Sequence, residues 1–124
     1  MSKILLIEDD IFLSSLLKNR FQKEGLDIQL VGDGTEAMKA VKDQKPDLIL
    51  LDIILPGKSG FEVLEEMRLD PHTARIPVMI ISNLGQESDV EKGKELGVVD
   101  YLVKSRVSID FLVEKAKELL GKSY

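Results

Sequence analysis

The chain of 124 residues contains no cysteine, no tryptophan and only one histidine. The lack of cysteine excludes disulfide bonds, cysteine-based zinc sites and thiol nucleophiles. The single histidine, His72, argues against a histidine-rich metal site or a Ser/His/Asp triad, and we assign it no role. No apolar run approaches the roughly 18 residues of a membrane span. No signal-peptide cleavage region precedes the first apolar run, which predicts a cytoplasmic protein that does not bind membranes.

Positive charge is also scarce. The chain has 17 Lys and Arg against 22 Asp and Glu, a net charge of −5, and no basic run. This balance argues against nucleic acid as a direct partner. The length predicts one domain, residues 1–124, because compact domains cluster near roughly 100–150 residues. No linker or repeat interrupts it.

A regular rhythm runs along the chain: a short apolar run, a turn, and then a segment with helical periodicity. Continuous apolar runs are typical of strands buried on both faces of a parallel sheet. The five runs are Ile4–Ile7, Ile28–Val31, Leu48–Leu51, Val78–Ile81 and Val98–Val103. The rhythm predicts an α/β fold, a doubly wound (βα)5 domain with the flavodoxin-like strand order 2-1-3-4-5.

Residue types at the helix ends support this reading. Asp33, Ser59 and Ser108 stand where N-caps are expected, and Gly25 and Gly121 stand at expected stops. The fourth helix, about residues 86–96, has the fewest apolar residues to anchor it, so we expect it to be the most easily displaced.

Polar residues follow four of the five predicted strands. In a parallel sheet the carboxyl ends of the strands meet at one edge, so these side chains are expected to lie together. Clustered carboxylates repel one another. A bound Mg²⁺ would relieve this repulsion, because carboxylate oxygens are among the ligands it prefers. An ammonium and a hydroxyl beside such a cation suit a phosphoryl group, and a carboxylate nucleophile would form an aspartyl phosphate. The residues concerned are Glu8, Asp9 and Asp10, then Asp52, then Ser82 and Asn83, then Lys104 and Ser105.

Four segments together resemble the response-regulator receiver domain of two-component signalling. They occur in the family's order and at its spacing, and the resemblance covers essentially the whole chain. The segments are Ile4–Asp10, Asp47–Gly57, Pro77–Ser82 and Asp100–Lys104.

The resemblance implies a phosphoacceptor and a metal site. Asp52 would accept the phosphoryl group. Glu8, Asp9 and Asp52 would hold Mg²⁺, or alternatively Mn²⁺, together with the backbone carbonyl of Ile54. Asp10 reads more simply as a cap of the first helix.

The resemblance also implies a switch. Lys104 would pair with the phosphoryl oxygens, and Ser82 would supply the switch hydroxyl. Tyr101, three residues before Lys104, would be the aromatic switch residue. Its movement would remodel the surface formed by the fourth helix, the fifth strand and the fifth helix.

The partners implied are a histidine kinase or histidine phosphotransfer protein as donor, and a downstream protein target or effector domain. A homodimer is left open. The protein would be no enzyme beyond phosphorylation and dephosphorylation of its own Asp52. A phosphatase of the haloacid-dehalogenase type would want a second acid where Ile54 stands.

One departure from the family pattern gives some weight to an alternative function, although the intact set Glu8, Asp9, Asp52, Ser82 and Lys104 argues against it. Ser105 follows Lys104 where the family has proline after a cis bond. We therefore expect a trans peptide and a differently shaped loop after the fifth strand. This leaves open a degenerate receiver that acts as a phosphorylation-independent adaptor.

Overall fold

The computed structural model describes residues 2–121, in which strands and helices alternate along the chain. The strands are β1 (Lys3–Ile7), β2 (Asp27–Val31), β3 (Leu48–Leu51), β4 (Val78–Ser82) and β5 (Asp100–Val103). The helices are α1 (Ile11–Lys23), α2 (Gly34–Gln44), α3 (Gly60–Leu69), α4 (Glu87–Glu95) and α5 (Ile109–Gly121).

The strands form one parallel sheet in the order β2-β1-β3-β4-β5, which confirms the predicted doubly wound, flavodoxin-like fold. The central strand β3 is buried at every position, as its continuous apolar sequence predicts. The edge strand β2 is mostly exposed or half-buried.

The sheet separates two apolar cores. Successive residues of a strand point to opposite faces, so Ile4 and Leu6 of β1 lie in one core while Leu5 and Ile7 lie in the other. Helices α1 and α5 cover the first core, and α2 and α3 cover the second. Helix α4 contributes only Gly93 as a buried residue, consistent with the weak apolar pattern of this segment.

The helix caps follow the sequence. The side chains of Asp10, Asp33 and Ser59 accept hydrogen bonds from backbone N–H groups in the first turns of α1, α2 and α3. Ser108 accepts from Phe111 N at 3.1 Å at the start of α5. The predicted end of the fifth helix at Gly121 depends on residues 122–124, which lie outside the described residues.

Strand β5 corrects the sequence prediction. It begins at Asp100 and not at Val98, because Gly97 adopts a φ of 75° and Val98 N bonds back to Gly93 O at 3.2 Å. Val98 therefore belongs to the turn out of α4, and Val99, whose N–H donates to Val78 O at 2.9 Å, leads into the strand.

The connection from β5 to α5 begins with a short 3₁₀ helix, η1 (Lys104–Arg106). The described residues contain no cis peptide bond, so the expected trans Lys104–Ser105 bond is confirmed. Within residues 2–121, no helix combines the length and apolarity needed to cross a membrane.

Candidate functional site

Three carboxylates meet at the carboxyl edge of the sheet. Glu8 and Asp9 follow β1, and Asp52 follows the neighbouring strand β3. One carboxylate oxygen from each lies within 4.8 Å of the others. Glu8 and Asp52 are only 3% and 4% exposed, whereas Asp9 faces solvent. The parallel pairing of β1 with β3 therefore builds an acidic pocket that opens on one side.

Lys104 reaches into this pocket from η1. Its ammonium nitrogen Nζ lies 2.8 Å from Asp52 Oδ2 and 2.5 Å from Glu8 Oε1. The side chain is largely buried, with 18% of it exposed. The Lys104 ammonium therefore contacts two buried carboxylates. Lys104 points into the site although serine, and not proline, follows it.

The protonation of Glu8 responds to this burial. Burial raises the pKa of Glu8 to about 7, and the contact with the Lys104 ammonium and the hydrogen bond from Asp10 N counteract only part of that rise. For Lys104, burial alone would lower the pKa, but the hydrogen bond to Asp52 and the ion pair with Glu8 outweigh burial and raise it. Glu8 and Lys104 thus share a proton-sensitive contact, while Lys104 stays charged.

Backbone donors hold the other oxygen of Asp52. Asp52 Oδ1 accepts from Ile53 N at 2.7 Å and from Ile54 N at 3.3 Å. The backbone of the β3–α3 loop (residues 52–59) thus binds the side chain of Asp52, the first residue of the loop. Asp52 is held at both oxygens, by the loop on one side and by Lys104 on the other.

The donor set fits a hard divalent cation. Among residues 2–121, Lys104 is the one ammonium that contacts the three carboxylates, and it meets Glu8 and Asp52 only, so the cluster carries excess negative charge. Glu8 Oε1 is buried, and no donor among the described residues meets hydrogen-bond geometry at it, although Lys104 lies close by. Oxygen ligands of this kind are those Mg²⁺ prefers.

The remaining predicted residues lie beside the pocket. Ser82 is completely buried at the end of β4, and its hydroxyl accepts from Leu84 N at 3.3 Å. The half-buried Tyr101 donates its hydroxyl to the carbonyl of the same Leu84. Burial also raises the pKa of Tyr101 to about 12, so the phenol stays protonated and remains a donor. The sequence gives no sign of this role for Leu84, because a bridge through its backbone N–H and C=O does not depend on residue type.

Three further polar side chains follow strands at this edge of the sheet or belong to the β3–α3 loop. Lys58 forms an ion pair with Glu66 of α3. Asn83 is exposed, and Asp10 caps α1, as its sequence position suggested.

Comparisons with known proteins agree with this geometry. A family model for the response regulator receiver domain matches residues 4–117. The transcriptional regulatory protein CpxR of Klebsiella pneumoniae is 39% identical over 124 residues, which are 100% of this chain and 51% of CpxR. RpaA of Synechocystis, a DNA-binding transcriptional regulator, is 35% identical over 123 residues, 99% of this chain and 51% of RpaA. The chain spans about half the length of the curated relatives it matches.

Solved structures show the same fold. The receiver domain of the Francisella response regulator 1452 has a TM-score of 0.90 and 28% identity, with 100% of both chains covered. The Mn²⁺-bound form of response regulator Rcp1 has a TM-score of 0.80 and 34% identity, covering 98% of this chain and 91% of Rcp1. With the family model spanning most of the chain, and with these relatives and the acidic sheet edge in agreement, the chain belongs to the receiver domains of two-component response regulators.

Proposed function

We propose that residues 1–124 form a receiver domain that acts as a phosphorylation switch, with Asp52 as the phosphoacceptor. One observation carries the proposal: Asp52 is buried, two backbone N–H groups hold one of its oxygens, and Lys104 contacts the other. Such fixed donors can stabilise a carboxylate that attacks phosphorus and the charge that develops on the transferred group.

The reaction is a group transfer. Asp52 Oδ2 forms a bond to phosphorus as the P–N bond of a phosphohistidine breaks, and the electron pair leaves with the imidazole, which takes a proton from solvent. Lys104 would pair with the phosphoryl oxygens. Glu8, Asp9 and Asp52 would hold Mg²⁺ or Mn²⁺ with the Ile54 carbonyl, and the cation would neutralise phosphoryl charge. The protein is the substrate of this transfer and not a turnover enzyme.

The donor would be a histidine kinase or a histidine phosphotransfer protein. Ile11 and Phe12 open α1 directly after the acidic residues, and each is 81% exposed. Contiguous exposed apolar side chains mark protein–protein contact sites, and these two are neighbours in the chain. We therefore place donor docking at the start of α1, beside the pocket.

The output would pass through Ser82 and Tyr101 to the surface of α4, β5 and α5. A Ser82 hydroxyl that turns toward a phosphoryl group would give up its hydrogen bond from Leu84 N, so Leu84 would lose one of its two hydrogen bonds to the switch residues Ser82 and Tyr101. A downstream protein or effector domain would read the changed surface. The phosphorylation-independent adaptor is less favoured, because Lys104 contacts Asp52 despite Ser105.

Intact-mass spectrometry after incubation with acetyl phosphate and Mg²⁺ tests the proposal. We expect one phosphoryl adduct on the wild type, none without Mg²⁺ and none on Asp52→Asn. Asp43→Asn, an exposed acid on α2, is the matched control and should be labelled like the wild type. A folded wild-type protein that neither binds Mg²⁺ nor gains an adduct would favour the adaptor instead.

A further inference from the structure

The β3–α3 loop rests on the first residue of α2. Gly34 N donates to Pro56 O at 3.0 Å. A Cβ atom on Gly34 would lie 1.8 Å from Lys58 O and 2.7 Å from the Lys58 carbonyl carbon. Real Cβ atoms do not approach backbone this closely, so only glycine allows the loop to lie where it does.

The next residue of the loop makes a second close approach to the same helix end. Gly57 has a φ of 79°, and a Cβ there would lie 2.5 Å from Asp33 Oδ1. Asp33 is itself fixed, because its carboxylate accepts from Thr35 N at 2.8 Å and from the Thr35 hydroxyl at 2.7 Å. The start of α2 and the middle of the loop thus interlock through two glycines.

The far end of the loop cannot absorb a displacement. Gly60 N donates to Ile53 O at 2.8 Å, and a Cβ on Gly60 would lie 2.1 Å from Asp52 O. If a side chain at position 34 displaced residues 56–58, the backbone around Ile54 would therefore have to move. Ile54 N is one of the two backbone donors to Asp52 Oδ1.

We propose that Gly34 is a positioning residue for the phosphorylation site, acting through the β3–α3 loop on the backbone of Ile54 and on the Asp52 side chain. The inference rests on the proposed function, since it assigns the loop carbonyl and Asp52 to the metal and phosphoryl site. In this role Gly34 acts through the loop and not by direct contact with Glu8, Asp9 or Asp52. The start of α2 thereby becomes part of the machinery that sets metal affinity.

The chain contains a matched control two residues earlier. A Cβ on Gly32 would meet only Glu8 O, at 3.8 Å, an ordinary van der Waals distance. Gly32 also has no positive φ that would disfavour alanine. Gly32→Ala therefore changes the same β2–α2 connection by the same atoms without touching the loop.

The experiment measures Mn²⁺ binding to the full chain by electron paramagnetic resonance, with Mg²⁺ binding by calorimetry in parallel. We expect Gly34→Ala to bind about tenfold more weakly than the wild type, the scale of lost support around a metal site. Gly32→Ala should stay within about twofold of the wild type. Thermal melts in chelator separate loss of stability from loss of affinity.

The outcomes are distinguishable. If Gly34→Ala is less stable in chelator but binds Mn²⁺ like the wild type, its role is structural only and the inference is wrong, while the proposed function stands. If the wild type neither binds the ions nor gains a phosphoryl group, both this inference and the proposed function are wrong. If Gly34→Ala does not fold, Asp33→Ala replaces it, with Asp33→Asn as the variant that keeps the cap. Weaker binding by Asp33→Ala alone would support the inference, and equal binding by both would overturn it.

Discussion

The hydroxyl of Tyr101 donates a hydrogen bond to the backbone carbonyl of Leu84, 17 positions earlier in the chain. The N–H of Leu84 donates in turn to the hydroxyl of Ser82 at the end of β4. One residue of the β4–α4 connection is therefore tied both to the edge of the acidic pocket and to the outer strand β5. A rotation of the Ser82 hydroxyl therefore affects Leu84, the residue whose carbonyl also accepts from Tyr101.

Tyr101→Phe removes this tie and keeps the ring. Because Leu84 is half-exposed, its carbonyl can turn to water, and we expect the free energy of unfolding to fall by about 1 kcal/mol or less. Hydrogen exchange measured by mass spectrometry should quicken at residues 84–90 in the unphosphorylated protein. Labelling of Asp52 by acetyl phosphate should be unchanged. Equal exchange in both proteins would show that the hydroxyl does not hold the loop.

Gly93→Ala tests the contact between α4 and the ring of Tyr101. A Cβ on Gly93 would lie 3.1 Å from Tyr101 Cδ2 and 3.2 Å from Ile80 Cδ1. Helix propensity alone favours alanine over glycine by about 1 kcal/mol. We expect crowding at the ring to cancel that gain in the wild-type background, and the gain to appear when the ring is absent, in Tyr101→Ala. A double-mutant cycle by urea unfolding measures this coupling, and a cycle that closes to zero would contradict it.

Mg²⁺ affinity is expected to rise with pH up to about 7. The folded protein without metal holds a proton on Glu8 more tightly than the unfolded chain, since burial raises its pKa from the ordinary 4.5 to about 7. Between these values, this group therefore makes folding less favourable as pH rises. A cation needs Glu8 ionised, so binding below about pH 7 releases a proton and strengthens with pH.

Calorimetry at pH 6 and pH 8 checks this expectation, with Glu8→Gln as the variant that has no such proton. Wild-type affinity should increase over the interval, and affinity of the variant should change less. A wild type whose Mg²⁺ affinity is flat across the interval would exclude the role given to Glu8.

Ile54→Asn is expected to shorten the life of the phosphorylated protein. Ile54 stands two residues after Asp52 and is 59% exposed at the mouth of the pocket. Its apolar side chain offers nothing to orient an attacking water, whereas an amide does. Loss of the phosphoryl adduct, followed by intact mass over time, should be faster in the variant. Leu69→Asn, at an exposed apolar position at the end of α3, is the control and should leave the rate of adduct loss unchanged. A slower or unchanged Ile54→Asn protein would contradict the prediction.

The sequence by itself determined the order of the elements and which residues reach the site edge. Continuous apolar runs such as Leu48–Leu51 mark buried parallel strands, and the caps Asp33 and Ser59 mark where helices begin. Both signals are local, since they depend on residue type within a few positions. Once the sheet is parallel, Glu8, Asp9, Asp52, Ser82 and Lys104 must follow strands at one edge, so their gathering was predictable.

Tertiary structure decided what joins residues distant in the chain. The start of β5 depends on the turn at Gly97, and the aim of Lys104 at both Glu8 and Asp52 depends on how η1 leaves the sheet. The bridge through Leu84 uses its backbone N–H and C=O groups, and Gly34 meets the backbone of the β3–α3 loop. Residue type does not tell which backbone groups meet, because every residue other than proline has the same N–H and C=O groups and packing determines their partners.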